Sequence, residues 1–262
     1  MVGLLNLSAG DLDQLPVRPP VVLAAQASTA KIPLAVLAQR DPMALIRLAQ
    51  ERVDHEVRDY SATFLKQEEI AGKLGPLQRI DIRFRSDPVS VKMQWLENAD
   101  QARRVVYQST PKFVDPQGRK VARIEPAGFV ARALFPEVTR PISGPEARAA
   151  SRRTIDEFGF KATLDLFEKY NSLALKKGAL DLRYTGEGRV DGRPTFVVER
   201  YLPYTPGGSF PDARLIVHFD QEWLVPTAVY SYADAEGTKL LGSYVFIGVR
   251  LNVGLSDADF DL

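Results

Sequence analysis

The chain has 262 residues, of which 45% are hydrophobic and 26% charged, with a formal net charge of +1. That is enough chain for one large β-rich domain or two small ones, and its near-neutral balance supplies no global field favouring nucleic acid or an anionic surface, although local basic patches are not excluded. With no cysteine there is no disulfide, thiolate metal site or cysteine nucleophile, and any imidazole chemistry has only His55 and His218 to draw on.

No run of about 18 apolar residues occurs, so no segment reads as a membrane-spanning helix. Residues 1–40 contain Pro16, Pro19, Pro20 and Pro33 with little periodicity, which predicts an extended arm or linker. Residues 21–30 are apolar and then small, like the end of a signal peptide. No basic region precedes them, and Asp11 and Asp13 lie upstream. A signal segment is therefore not recognisable, and the expectation is a chain from which it has been removed, or a plain arm.

A domain is expected over residues 41–262. Asp41 suits a helix N-cap and Pro42 the first helical position; Met43, Ile46, Ala49, Val53 and Val57 then form one stripe to about residue 58. Tyr60, Ala62 and Phe64 alternate with polar residues. Ile80, Ile82 and Phe84 alternate with Arg79, Asp81, Arg83 and Arg85, and Val89, Val91, Met93 and Trp95 with Ser90, Lys92 and Gln94. Strict period 2 in two runs joined by Ser86-Asp87-Pro88 predicts a β-hairpin. Shorter strands are expected at 102–109 and 120–125. The proline- and arginine-rich residues 126–150 interrupt the meander. Thr154 and Glu157 have capping-box spacing ahead of a helical stripe of Phe160, Leu164 and Phe167. A second strand block fills 180–251, with Asp191-Gly192 as a type I′ turn between its first two strands. The predicted fold is α+β: a strongly curved antiparallel sheet or unclosed β-barrel of about ten strands, with helices packed on its concave side.

Catalytic and metal signals are weak. His55-Glu56 opens like a zinc-protease motif, but the second histidine one turn later is missing. Asp257, Asp259 and Asp261 have the spacing that opens a calcium loop, but neither the turn glycine nor the closing glutamate follows, so a solvated acidic tail is the plainer reading. Glu68 and Glu69 are adjacent strand residues on opposite faces and do not flank one substrate. No catalytic residue, metal site or cofactor is expected. The candidate ligand-binding surface is the apolar strand face: Phe64, Ile80, Ile82, Phe84, Val91, Met93 and Trp95, joined by Phe196 and Val198. Packing as ordinary core is the plain alternative for each. Arg79, Arg83 and Arg85 on the opposite face are candidate contacts for anions, against the plain reading of a solvated face.

The stretch DYSATFLKQEEIAGKLGPLQRIDIRFRSDPVSVKMQWL (59–96) resembles an uncharacterised bacterial family known as a domain of unknown function. RPISGPEARAASRRTIDEFGF (140–160) and NVGLSDADFD (252–261) resemble its later parts. That resemblance implies an exported protein and supplies no catalytic residues. HFDQEWLVPTAVYSY (218–232), an Asp turn followed by a Leu-x-Pro strand, is similar to the lipoprotein-carrier superfamily of the LolA/LolB type. This implies an unclosed barrel plugged by helices that binds lipidated or apolar ligands without a cofactor. The expected function is a non-enzymatic periplasmic or envelope protein holding an acyl chain, lipid or lipoprotein. The alternative is a structural or signalling module that binds another envelope protein through its surface. No nucleic-acid partner is expected.

Overall fold

Residues 33–262 are described by a computed structural model; residues 1–32 of the expected arm lie outside the described residues. The remainder of that arm departs from expectation. Leu34–Arg40 form a short helix, α1, with Ala38 buried, because this stretch packs against the next helix. That helix, α2 (Pro42–Glu56), begins as its chemistry dictates: the Asp41 carboxylate accepts the backbone N–H of Ala44 at 2.9 Å. Leu45, Ile46, Ala49 and Val53 form its buried stripe.

The strands follow in chain order: β1 (Asp59–Ile70), β2 (Lys73–Leu74), β3 (Gln78–Ser86), β4 (Val89–Glu97), β5 (Ala102–Gln108) and β6 (Val121–Pro126). Helix α3 (Phe129–Leu134), strand β7 (Val138–Pro141) and helix α4 (Pro145–Ala150) occupy the stretch expected to break the meander, so the sheet gains a strand there. Helix α5 (Phe160–Lys176) leads to β8 (Asp181–Val190), β9 (Arg193–Tyr201), β10 (Arg214–Asp220), β11 (Pro226–Tyr232) and β12 (Leu240–Leu251). The expected turn at Asp191-Gly192 is present, with both residues at positive φ.

The twelve strands form one antiparallel sheet in the order β7-β6-β5-β4-β3-β1-β12-β11-β10-β9-β8, with the short β2 on β1. The sheet is curved and unclosed, and the fold is α+β. Two meanders thus flank a central pair. β3 to β7 walk outward from β1, and β8 to β12 walk inward from the far edge, so that the last strand pairs with the first. This is the antiparallel arrangement that hairpin-length links impose.

The core lies between the concave face and helices α2 and α5. Tyr60 stacks on Phe160 at 4.3 Å and on Phe84 at 5.0 Å, and Phe64 meets Phe158 edge-on at 5.2 Å. Burying a large apolar side chain contributes roughly 1.5–3 kcal/mol, so this aromatic stack fixes α5 on the sheet. Gly159 caps α5 at φ +114, and a Cβ there would come within 2.8 Å of the Phe84 ring. Only glycine permits that approach. The capping box expected at Thr154 does not form: its hydroxyl donates to Asp156 at 2.6 Å in a short 3-10 turn. A capping box is instead made by Ser256 and Asp259 in the C-terminal turn.

Candidate functional site

The register of the first meander aligns one apolar side chain per strand on the concave face. Ile82 pairs with Met93, Met93 with Val105, Val105 with Ile124 and Ile124 with Val138. A neighbouring row runs from Phe246 through Phe64 and Ile80 to Trp95. At the inner end of these rows α5 covers the side chains. Farther out only α3, α4 and the segment 151–159 lie above them, and a cavity of about 620 Å³ remains. Met93, Trp95, Val105, Ile124 and Val138 form its apolar wall, Phe135 and Phe158 line it from the covering segments, and Leu166 and Phe167 of α5 line its inner margin.

The other end of the cavity is polar. Glu68 is buried there and accepts hydrogen bonds from the Tyr244 hydroxyl at 2.7 Å, the Ser151 hydroxyl at 3.1 Å and the Arg152 backbone N–H at 3.3 Å. Lys66 Nζ lies 2.9 Å from the same carboxylate. Burial pushes the Tyr244 hydroxyl far above its ordinary pKa, and the negative charge of Glu68 raises it further. Tyr244 is therefore a fixed neutral donor. Its ring reaches Glu68 by crossing Gly242, where a Cβ would sit 2.6 Å from the Tyr244 oxygen. Deeper in, the buried Arg200 pairs with Asp212 at 2.9 Å and donates to Asn171 at 3.2 Å. Among the described residues Arg200 Nε and Trp95 Nε1 are buried without a hydrogen-bond partner. Arg153 also lines this end and carries no ion pair among the described residues.

Of the residues singled out from sequence, Phe64, Met93 and Trp95 line this cavity. Ile80, Ile82, Val91, Phe196 and Val198 are buried in the packed core. Phe84 belongs to that core too and borders a separate cavity of about 430 Å³ beside the start of α5. Val105, Ile124, Val138 and Tyr244 carry no sequence signal of this role, and Glu68 stands out in the sequence only as half of a carboxylate pair with Glu69. Extending the β3–β4 register outward leads to the first three; the Asp115–Gly118 turn lies between β5 and β6, but both the 98–101 and the 109–120 links are longer than the two-residue turns that fix a register by themselves.

The arginine face meets anions supplied by the chain itself. Arg83 pairs with Asp259 and Arg85 with Asp257, each at 2.7 Å, Arg79 with Glu97 at 3.5 Å, and Lys92 donates to the Asp261 carbonyl. The acidic tail is thus not merely solvated. Phe260 is buried beneath it with the Arg85 guanidinium 5.0 Å from its ring. His218 is half-buried away from the cavity, 3.0 Å from the Thr195 hydroxyl, and burial lowers its pKa. Among the described residues no cluster of His, Asp or Glu has the geometry of a metal site.

Residues 57–262 match a family model described as "Protein of unknown function (DUF1571)". The chain belongs to this family. The match begins just before β1, takes in every strand and the cavity wall, and leaves out α1 and α2. No curated protein matches the chain significantly. Among solved structures it is similar to MucB, at 19% identity and a TM-score of 0.47 over 84% of this chain and 62% of that one. The chain thus spans less than two thirds of MucB. It is also similar to the lipoprotein LppX of Mycobacterium tuberculosis, at 14% identity and a TM-score of 0.44 over 84% of this chain and 100% of the other. A third is NE2245 from Nitrosomonas europaea, a LolA-superfamily protein, at 10% identity and a TM-score of 0.35 over 83% and 97%. Each is a likeness of chain path at low identity, and none assigns a ligand. No helix among the described residues is long and apolar enough to cross a membrane.

Proposed function

We propose that the protein is a non-enzymatic binding protein of the cell envelope that holds the apolar part of a lipid, a free acyl chain or a lipoprotein's lipid in the cavity beneath α3 and α4. The observation that carries this is the cavity itself. Its volume of about 620 Å³ lies within the roughly 300–1,000 Å³ of small-molecule sites. One wall is a continuous run of Met93, Trp95, Val105, Ile124 and Val138, with the adaptable methionine and the large indole suited to a flexible chain. The polar end, with Lys66, Glu68, Tyr244 and Arg153, offers contacts for the head of an amphiphile.

A binding role also suits the electrostatics. At the polar end Glu68 is engaged by Lys66 and Tyr244, and Arg200 by Asp212, so these buried charges are held by partners within the protein and leave the apolar wall to receive the ligand. The envelope location rests on the family resemblance alone, and cell fractionation tests it.

Filling the cavity tests the ligand. Val105→Trp places an indole in the apolar wall, and uptake of a fluorescent fatty acid should fall about tenfold or more, with the fold kept by circular dichroism. Native mass spectrometry should find a lipid on the wild-type protein and not on the variant. Equal uptake by the two proteins would overturn the proposal.

A further inference from the structure

The covering helix α3 turns most of its apolar side chains outward. Phe129 is 79% exposed, Val130 69%, Leu134 68% and the following Phe135 61%. Single exposed apolar residues are ordinary, but four large ones within seven residues form a contiguous patch with no packing role. The patch continues into the cavity, because Ala131 and Phe135 of the same turn line it. Arg132 anchors the helix from its inner side, donating to the Ala127 carbonyl at 2.7 Å.

The charge around the patch is one-sided. Residues 129–153 contain five arginines, Arg132, Arg140, Arg148, Arg152 and Arg153, against two glutamates, Glu137 and Glu146. Glu137 is already taken by Arg123 at 2.6 Å, and Arg132 and Arg140 pair with Glu125 and Glu146 at 3.7 and 3.6 Å, which leaves Arg148, Arg152 and Arg153 without an ion pair among the described residues. An apolar tip flanked by excess arginine, presented on a six-residue helix, complements an anionic bilayer surface: side chains enter the headgroup boundary while guanidinium groups meet lipid phosphates.

We propose that α3 docks the protein on an anionic lipid surface, with Phe129, Val130 and Leu134 inserted and the mouth of the cavity held against the membrane. This goes beyond the proposal that the cavity binds an apolar ligand, since docking does not require the cavity to be filled.

The test is co-sedimentation of the full chain with phosphatidylglycerol/phosphatidylethanolamine vesicles and with pure phosphatidylcholine vesicles, in about 0.1 M salt, where the screening length is about 10 Å. Binding to the anionic vesicles should be about tenfold stronger, and should weaken in about 0.5 M salt. The double variant Phe129→Ser with Leu134→Ser should lose about tenfold of this partitioning. Leu175→Ser, at an exposed apolar position on α5, should retain it. Neither residue of the double variant lines the cavity, so fatty-acid uptake in solution should be unchanged. Lost uptake in the wild type with retained docking would count against the cavity reading alone. No binding to anionic vesicles, or equal binding by the double variant, would overturn the docking proposal. So would a concentration-dependent dimer that the double variant abolishes in sedimentation velocity without vesicle binding by the wild type, since the patch would then cover a second copy.

Discussion

The two halves of the sheet carry similar alternating strands and use them differently. In the second meander Phe196, Val198 and Phe219 are buried beneath α1, α2 and α5 together, with Phe167 of α5 stacked over Phe219 at 6.4 Å. In the outer first meander Met93, Trp95, Val105, Ile124 and Val138 are only partly buried, because the elements above them are two six-residue helices and a loop. Strand alternation decides which side chains face inward. The length of the covering element decides whether that face becomes core or cavity wall. A helix of 17 residues offers several turns of apolar stripe; one of six offers barely two turns.

Breaking the filled side should have the largest effect. Phe160→Ala removes the ring that stacks on Tyr60 and should cost about 3–5 kcal/mol in urea unfolding, loosening α5 and with it the inner margin of the cavity. A loss below about 1 kcal/mol would mean that α5 is not the clamp described above.

A matched pair of smaller truncations sharpens the contrast. Val198→Ala, in the fully buried half, should cost about 2 kcal/mol. Val105→Ala borders space already open and should cost less than about 1 kcal/mol while altering acyl-chain uptake. Equal losses at the two positions would erase the distinction between the halves.

The smallest effect belongs to the tail on the convex face. Asp259→Ala removes a partly exposed pair with Arg83 and should cost within about 1 kcal/mol. The same carboxyl sets a pH dependence. The backbone N–H and hydroxyl of Ser256, followed by the Arg83 charge, hold the Asp259 carboxyl below its ordinary value near 3.8. Its contribution is therefore present above that pH and lost as pH falls below it. Thermal melts of wild type and Asp259→Ala should converge in acid; a constant gap down to pH 2–3 would contradict the assignment.

Much of the fold was legible because local rules and tertiary packing agreed. Asp41-Pro42 started a helix, period 2 marked β3 and β4, and Asp191-Gly192 closed a hairpin. The Asp turn and Leu-x-Pro strand near 220–226 also have a physical basis. The Asp220 carboxylate accepts the N–H groups of Glu222 and Trp223 at 3.0 and 2.9 Å and pairs with Arg193 at 2.6 Å, while Leu224 takes positive φ. What could not be read was set by distant partners. Helices α1, α3 and α4 are too short to be stable alone and exist through their contacts. The tail aspartates and the arginines they meet lie more than 170 residues apart. The cavity is what the covering segments fail to fill, and no strand pattern encodes that.

The central pairing of β1 with β12 sets an order of events during synthesis. Phe64 finds its partner Phe246 only after every intervening strand has been made. Until then β3 to β7 can zip onto β1 hairpin by hairpin, but its other edge stays open. The two meanders therefore mature separately and join in one late, long-range step of the kind that slows folding. A chain halted before residue 240 would expose two unpaired strand edges, and those edges are the places where a chaperone or a second nascent chain would attach.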